Sequence, residues 1–130
     1  MKRLFTIDEV RALLPRARAL ATELRASKQA YERHHAAIDL LATRAAGEGP
    51  QALTALERHH VAVNEAAGRF RSLAEAAVNL GIEVKGIDEG LLDFPSERDG
   101  RVVYLCWKLD EPDISWWHDL DTGYRGRQPL

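Results

Sequence analysis

Apolar residues recur every seven positions through the first third of the chain, in two interleaved rows. The members of the two rows are Val10, Ala17, Leu24, Tyr31, Ile38 and Ala45, and Leu13, Leu20, Ser27, His34 and Leu41. Alternating steps of three and four residues place both rows on one side of a helix, as in a coiled-coil seam. The pattern predicts a long first helix over residues 6–46.

The start of this helix carries its own signals. Thr6 and Glu9 have the spacing of a capping box, and Phe5 and Val10 occupy the two positions of a hydrophobic staple. Pro15 lies nine residues after Thr6. Because proline has no backbone N–H, one helical hydrogen bond is lost there. We therefore expect Pro15 to kink the helix, or to separate a short first segment that ends one residue earlier.

A second helix is predicted over residues 51–80. The stretch 47–50 contains two glycines and Pro50, which suits the first turn of a new helix. Its two apolar rows are Leu53, His60, Ala67 and Ala74, and Leu56, Val63, Phe70 and Ala77. The short connection predicts an antiparallel helical hairpin. The side chains expected to be buried in its seam are Leu20, Leu24, Leu56, Val63 and Phe70.

Two helices alone bury little apolar surface, so a further partner for the seam is needed. Either the C-terminal segment packs on it, or a second copy of the chain does. We expect a homodimer that forms a four-helix bundle.

The composition changes after Leu80, with four glycines between residues 81 and 100 and more β-branched and aromatic residues. Three strands are predicted, over 91–94, 102–109 and 114–118, joined by turns at 95–100 and 110–113. The tail, 122–130, is either a loop fixed by its aromatic and arginine side chains or a frayed end. The predicted fold class is α+β, one domain with the helical hairpin followed by a three-stranded antiparallel meander over residues 81–130.

Composition narrows the classes of function. The chain has 45% hydrophobic and 29% charged residues and a formal net charge of -2, which suits a folded domain and argues against a nucleic-acid-binding protein. No apolar stretch approaches the ~20 residues of a membrane span, and the first residues do not form a secretory signal. The single cysteine, Cys106, excludes an intramolecular disulfide and favours a reducing compartment, the cytoplasm.

Several short motifs resemble an uncharacterised bacterial family, domain of unknown function 2203. They are the opening at 5–10 with 13–15, the segments 81–85, 90–95, 105–107 and 117–118, and the ending at 126–130. The resemblance runs nearly from end to end, and its most specific parts lie at the two termini. It implies no particular activity, because the family is uncharacterised.

A transition-metal site is the first chemical hypothesis, and it lies in the helices. Both helices contain Glu-Arg-His-His, at 32–35 and 57–60, and Glu-x-x-His places a carboxylate and an imidazole on one helix face. His34 and His60 lie thirteen residues on either side of Gly47, so an antiparallel hairpin would bring them to one level. The proposed ligands of zinc, iron or manganese are Glu32, His34, His35, Glu57 and His60. The alternative is a solvated helix face with hydrogen-bonded histidines, which is the commoner situation.

The second hypothesis concerns the aromatic hairpin, where the register between two strands decides the chemistry. A five-residue connection pairs Cys106 with Trp116 and Tyr104 with His118, so that all four share one face. A four-residue connection pairs Cys106 with Trp117 instead and moves His118 to the other face. A slip of one residue therefore creates or abolishes the proximity of Cys106 and His118.

If these four residues do cluster, Cys106 is a candidate nucleophile or metal ligand and His118 a candidate base. Asp119 and Asp121 could orient the imidazole, and Arg125 and Arg127 could bind an anionic group. The ligand-binding set is then Tyr104, Trp116, His118, Arg125 and Arg127. The alternative is a packed aromatic core in which Cys106 is a small apolar residue.

Four polar residues lie among the apolar strands and are expected to form buried or rim ion pairs that fix the meander on the helices: Lys85, Asp93, Arg101 and Glu111. Motifs of the commoner enzyme classes are absent from the sequence. The leading expectation is therefore a cytosolic binding or accessory protein that holds a transition metal or a small anionic ligand between the helical hairpin and the aromatic hairpin. A metal-dependent enzyme and a structural dimerisation module are the alternatives.

Overall fold

The structure is a computed structural model that describes residues 3–44 and 49–130. Two long helices precede an antiparallel sheet, so the fold is α+β as predicted. The helices and strands are α1 (Ile7–Arg44), α2 (Pro50–Leu80), β1 (Glu83–Gly86), β2 (Leu91–Arg98), β3 (Arg101–Trp107), β4 (Trp116–Asp119) and β5 (Gln128–Pro129). The predicted end of the first helix, 45–46, and most of the connection before Pro50 lie outside the described residues.

The start of α1 agrees with the predicted capping box. The Thr6 backbone N–H donates to Glu9 Oε1 at 2.9 Å, and the Glu9 N–H donates to Thr6 Oγ1 at 3.1 Å. Phe5 and Val10 are both buried in the same core. The helix continues without a break through Pro15, so the alternative of a separate first segment is wrong. The missing N–H of one proline is tolerated because the flanking turns on both sides are packed.

The seam of α1 is buried only along its first half. The fully buried side chains of this helix end at Ser27, and Tyr31 is exposed. Among the described residues, the polar contacts from α1 to the β-rich segment end near the same level, where Lys28 binds Asp88 in the turn between β1 and β2. The sheet therefore covers the first half of the helix and not the second.

One of the two predicted apolar rows of α2 is shifted by one residue, whereas Ala77 of the other row is buried as predicted. The buried row begins at Ala52 and continues through Ala66 and Leu73, whereas Leu53 is 61% exposed. Leu56, Val63 and Phe70, expected to be buried, are only half-buried, while Leu20 and Leu24 are buried as expected. Because alanine occupies so many positions, the rows 52–66–73 and 53–67–74 were nearly equivalent in the sequence.

The sheet has five strands rather than the predicted three, in the order β1-β2-β3-β4-β5. The strands that sequence analysis missed are β1 and β5, with four and two residues. Strands this short contain too few positions to give an alternating pattern. The tail is therefore not a frayed end. Strand β5 pairs with β4, and the Arg127 guanidinium lies against the rings of Trp116 and Tyr124, as expected of a tail fixed by aromatic and arginine side chains.

The predicted turn at 95–100 is wrong, because β2 continues through Pro95 to Arg98. The turn is the two-residue Asp99-Gly100, with φ of 52° and 79°, which fits a tight hairpin. Pro95 is tolerated because its backbone polar groups face away from β3. Its carbonyl accepts a hydrogen bond from the Phe5 N–H at 2.7 Å, and a missing N–H on that side removes no bond to β3.

The two faces of the sheet have different surroundings. One face packs on the helices and includes Phe94, Leu105, Trp107 and Trp117, which belong to one core with α1 and α2. The other face carries Asp93, Tyr104, Cys106, Trp116 and His118, since cross-strand partners share a face. The candidate residues of the aromatic hairpin therefore lie on the side of the sheet that faces away from the helices.

Candidate functional site

The register between β3 and β4 is the first of the two alternatives. Tyr104 pairs with His118, and Cys106 pairs with Trp116. In the neighbouring hairpin Asp93 pairs with Cys106. Asp93 and Cys106 therefore occupy one cross-strand row, and His118 stands in the next row, one diagonal step from Cys106 and two strands from Asp93.

The diagonal arrangement brings a carboxylate, a thiol and an imidazole together. One ligand atom from each of Asp93, Cys106 and His118 lies within 4.8 Å of the other two. The three residues are 2%, 0% and 2% exposed. Within residues 3–44 and 49–130 this is the one group of three or more His, Cys, Asp or Glu side chains close enough to share a metal ion.

Both ring nitrogens of His118 have partners. Nδ1 lies 2.7 Å from the Asp119 carbonyl oxygen, and Nε2 lies 3.1 Å from each Asp93 carboxylate oxygen. A carbonyl only accepts, so Nδ1 carries a hydrogen and donates it. The contact of Nε2 with Asp93 also needs one proton, on either the imidazole or the carboxyl group. The pair therefore has no net charge in its buried position.

The Cys106 side chain is a protonated thiol at neutral pH. Burial, and then the negative charge of Asp93, raises the pKa of the thiol to about 12 from an ordinary 9.0. A nucleophilic cysteine needs the opposite shift, since the thiolate is the reactive form. The geometry therefore gives no support to Cys106 as a nucleophile with His118 as its base.

Burial also raises the pKa of Asp93, an effect that the neighbouring His118 and Cys106 partly offset. Two acidic groups with raised pKa values in one enclosed cluster favour binding a proton or another cation there. Both shifts have the same physical cause, the removal of the charged forms from water.

Further polar groups surround this cluster on the same face. The Tyr104 hydroxyl donates to Glu83, with oxygen–oxygen distances of 3.0 and 2.9 Å, and Lys85 Nζ lies 3.1 Å from Glu83 Oε1. The Tyr104 ring packs beside the His118 ring at 5.5 Å between centroids. Strand β1, which sequence analysis missed, supplies Glu83 and Lys85.

On the other side of Cys106, Arg127 joins the tail to β3. Its NH2 donates to both carboxylate oxygens of Glu111, at 2.6 and 2.8 Å, and to the Cys106 carbonyl at 3.3 Å. The guanidinium lies against the rings of Trp116 and Tyr124. Among the described residues, Arg127 Nε is the one buried side-chain nitrogen or oxygen without a hydrogen-bond partner.

The predicted ligand-binding set is only partly brought together. Tyr104, Trp116 and His118 share a face with Arg127 nearby, but Arg125 is exposed. Because this face points away from the helices, a ligand held here would not lie between helices and sheet as expected. Of the two aspartates predicted to orient His118, Asp119 does so through its backbone carbonyl, and its carboxylate binds Arg101 at 3.0 Å instead.

The second of these aspartates, Asp121, is exposed. Each of the four polar residues expected to form an ion pair does have an ionisable acidic or basic partner. Their partners are Glu83 for Lys85, His118 for Asp93, Asp119 for Arg101 and Arg127 for Glu111. These partners all come from the sheet and its loops, so the pairs fix strands to one another and not to the helices.

The helical residues proposed as metal ligands are not gathered into a site within the described chain. His34 meets His59 and not His60, with 2.9 Å between the two Nδ1 atoms, because the buried row of α2 is shifted by one residue. His60 and Glu57 are exposed. His35 lies 3.4 Å from Asp39, and Glu32 lies 3.6 Å from Lys28. A metal site completed by a second copy of the chain stays a prediction.

From the sequence alone, Asp93 is predicted only to form an ion pair. The missing signal was the register of β2 with β3, which depends on a turn at Asp99-Gly100 rather than at Pro95. Counting outward from Asp99-Gly100 pairs Asp93 with Cys106, so the dipeptide could have identified the third member of the cluster.

The site and fold define a small α+β protein whose sheet carries a buried carboxylate–thiol–imidazole cluster on the face opposite its helices. The model of the family described as an uncharacterized conserved protein, DUF2203, matches residues 3–130. The chain belongs to that family, as the resemblance of its motifs implied. No curated protein and no solved structure matches it. In the described part of the chain, neither helix has the length and apolar character needed to cross a membrane.

Proposed function

We propose that this protein is a metal-binding accessory protein that holds one divalent transition-metal ion between Asp93, Cys106 and His118. The observation that carries the proposal is the convergence of the three ligand atoms, within 4.8 Å of one another, from three adjacent strands. Zinc fits this set best, because it accepts sulfur, nitrogen and oxygen ligands in one tetrahedral site.

The spacing of the atoms suits a zinc ion. Ordinary zinc bond lengths in a tetrahedral site place pairs of ligand atoms roughly 3.3–3.6 Å apart. His118 Nε2 and the Asp93 oxygens are 3.1 Å apart, so they need to separate only slightly. The thiol at the third corner lies within 4.8 Å and needs to move inward by about 1 Å at most to bind.

The hydrogen bond of His118 Nδ1 to the Asp119 carbonyl supports a metal-ligand role for Nε2. Metal-binding histidines almost always donate their second ring N–H to a carbonyl or carboxylate, which fixes the tautomer and the ring orientation. Here the orienting carbonyl belongs to the residue that follows His118, so the backbone of β4 itself sets the direction of the ring.

Charge balance gives further support. Without metal, the cluster contains a thiol, a carboxyl group and an imidazole with one shared proton, and its net charge is zero. A zinc ion that replaces the thiol proton and the shared proton leaves a carboxylate, a thiolate and a neutral imidazole. The net charge is again zero, so metal binding adds no unbalanced charge to this buried position.

The test is the metal content of untagged protein, followed by substitution with cobalt. We expect about one zinc ion per chain, and a cobalt-loaded form with the near-ultraviolet absorption of a cobalt–thiolate bond. Cys106→Ser should remove this band, and His118→Gln and Asp93→Asn should each lower the stoichiometry. His60→Ala, a change in the helical set, is the matched control and should leave both unchanged. Stoichiometric metal lost with His60→Ala, or no cobalt–thiolate band, would contradict the proposal.

A metal-dependent enzyme is the second candidate function, and one observation favours it. Three protein ligands leave a fourth zinc position for water, which is typical of catalytic rather than structural sites. The near-complete burial of all three side chains favours the accessory role. Added azide distinguishes the two, because it changes the cobalt spectrum only if solvent reaches the fourth position.

We also propose that the helices form an antiparallel hairpin and that the chain is a homodimer. Two contacts between α1 and α2, at different heights along the helices, support the hairpin. Glu23 of α1 pairs with Arg69 of α2, and His34 of α1 contacts His59 of α2. Exposed apolar side chains in the part of the helices beyond the sheet, Leu40, Leu53 and Val61, support the dimer.

A thiol ligand is most stable in a reducing compartment, which suits the cytoplasm.

A further inference from the structure

A groove on the helical side of the molecule has the size and lining of a small-molecule site. It has a volume of about 580 Å³ and lies between α1, α2 and the turn that joins β1 to β2. Its apolar lining includes Tyr31, Phe70, Ala67, Ala74 and Ile87. Ligand pockets of proteins commonly enclose ~300–1,000 Å³ with a mainly apolar lining and a few polar groups.

The groove exists because α2 presents small side chains there. Ala66, Ala67 and Ala74 leave space beside the larger Phe70, and Tyr31 closes the opposite wall. Neither Phe70 nor Tyr31 is fully buried, although aromatic rings have much to gain from leaving water. An apolar molecule in the groove would cover both rings.

The charges at the rim determine which molecule fits. Lys28 already has partners, since its Nζ lies 2.9 Å from Asp88 and 3.6 Å from Glu32. Arg71 is exposed and, within residues 3–44 and 49–130, its guanidinium makes no ion pair or hydrogen bond. The rim therefore offers one positive charge that is not neutralised by the protein.

We propose that this groove binds an amphipathic monoanion, with a hydrocarbon or aromatic body on the apolar lining and one carboxylate-like head group at Arg71. A guanidinium is well suited to a carboxylate because it can donate two parallel hydrogen bonds. The site is separate from the Asp93–Cys106–His118 cluster, none of whose residues line the groove. It therefore does not depend on the proposed metal.

A small molecule fits the groove better than a second copy of the chain. The groove is bounded by three different elements. Among the described residues that line it, Arg71 is the cation without an ionic partner, beside an apolar floor. The exposed apolar residues that a second copy would need to cover, Leu40, Leu53 and Val61, do not line it.

The experiment is calorimetric titration of the delipidated, full-length protein with decanoate, decanol and decylammonium below their micellar concentrations. We expect one decanoate per chain, with decanol and decylammonium binding more weakly. Arg71→Gln should weaken decanoate about tenfold, the loss of one charge-assisted contact, and should remove the preference over decanol. Arg58→Gln, an exposed arginine on the same helix outside the groove, is the matched control and should change neither.

Filling the groove tests the location. Ala67→Phe should abolish decanoate binding, whereas Ala36→Phe, exposed on α1 outside the groove, should not. Circular dichroism verifies the fold, and Arg71→Gln still tests the proposal if Ala67→Phe does not fold. Equal affinity for the three head groups, or decanoate binding insensitive to Arg71→Gln, would overturn it. A third result would also overturn the proposal: the parent protein is a dimer that binds no decanoate, and Ala67→Phe makes it a monomer. The groove would then be an interface between two copies of the chain.

Discussion

At the scale of single residues, the chemistry of this protein depends on how three buried groups share protons. His118 is held from both sides, by the Asp119 carbonyl and by the Asp93 carboxyl group, and Cys106 lies beside them with a raised pKa. Neutral partners are the least costly state of such a cluster without metal. Any change that forces a charge on one member should therefore be measurable as lost stability.

The raised pKa of Cys106 predicts a loss of stability at alkaline pH. Below pH 9 the thiol is protonated in both the folded and the unfolded chain, so it makes no difference to stability. Between the ordinary value of 9.0 and the folded value of about 12, the unfolded chain loses its proton and the folded chain keeps it. The free energy of unfolding should fall as pH rises through this window, by up to ~4 kcal/mol for three units.

Urea unfolding of metal-free protein at a series of pH values measures this effect. Other groups also titrate above pH 9, so the informative quantity is the difference between the parent protein and Cys106→Ala. The substitution removes the thiol, and its packing cost does not depend on pH. Parallel stability curves for the two proteins between pH 9 and pH 12 would show that the thiol is not shielded from ionisation.

At the scale of elements, local signals in the sequence were reliable and short or repetitive segments were not. The capping box at Thr6 and Glu9 predicted the start of α1 correctly. One alanine-rich row of α2 is shifted by one residue, since alanine marks a buried face only weakly. Pro95 favours a turn in the sequence and yet lies within β2, because a sequence does not reveal which side of a strand its backbone groups face.

The Asp99-Gly100 turn should depend on Gly100 and tolerate a glycine at its neighbour. Both residues have positive φ, 52° and 79°, a region that is costly for a residue with a Cβ atom. Gly100→Ala should lower the free energy of unfolding by ~1–2 kcal/mol, although a Cβ there meets nothing within 4 Å. Asp99→Gly relieves the same strain and should be nearly neutral. Equal effects of the two substitutions in thermal unfolding would contradict a strain mechanism.

At the scale of the whole molecule, the two faces of the sheet are both buried but differ in chemistry. The face toward the helices is apolar, and the opposite face carries the buried polar cluster, with Arg127 of the tail beside Cys106. Simple alternation in the sequence predicted which residues of each strand share a face, but not the register that decides the face of His118. It did not indicate β1 and β5, or that Asp93 joins Cys106 and His118, because those contacts depend on register across several strands and not on any local pattern.

The ion pair of Arg127 with Glu111 should hold the tail on this face. Both side chains are mostly buried, and removing one partner leaves the other charge without compensation. Arg127→Ala should lower stability by ~1–3 kcal/mol through lost charge-assisted hydrogen bonds. A Glu111→Gln/Arg127→Gln double-mutant cycle measures the coupling directly. The exposed Arg125→Ala is the control, and equal losses for the two arginines would remove the special role of Arg127.

The last prediction concerns the part of the helices that the sheet does not cover. Leu40 and Leu53 are 52% and 61% exposed there, and Val61 is 56% exposed. Three such side chains on helices that bury little by themselves favour contact with a second copy of the chain. Sedimentation at high micromolar concentration should therefore give a dimer, and Leu53→Glu should shift it toward a monomer because a carboxylate is costly in an apolar interface. Val78 is 73% exposed near the other end of α2, so Val78→Glu is the control and should leave the dimer unchanged. A monomeric parent protein would remove the homodimer and leave the groove and the metal cluster as sites of a single chain.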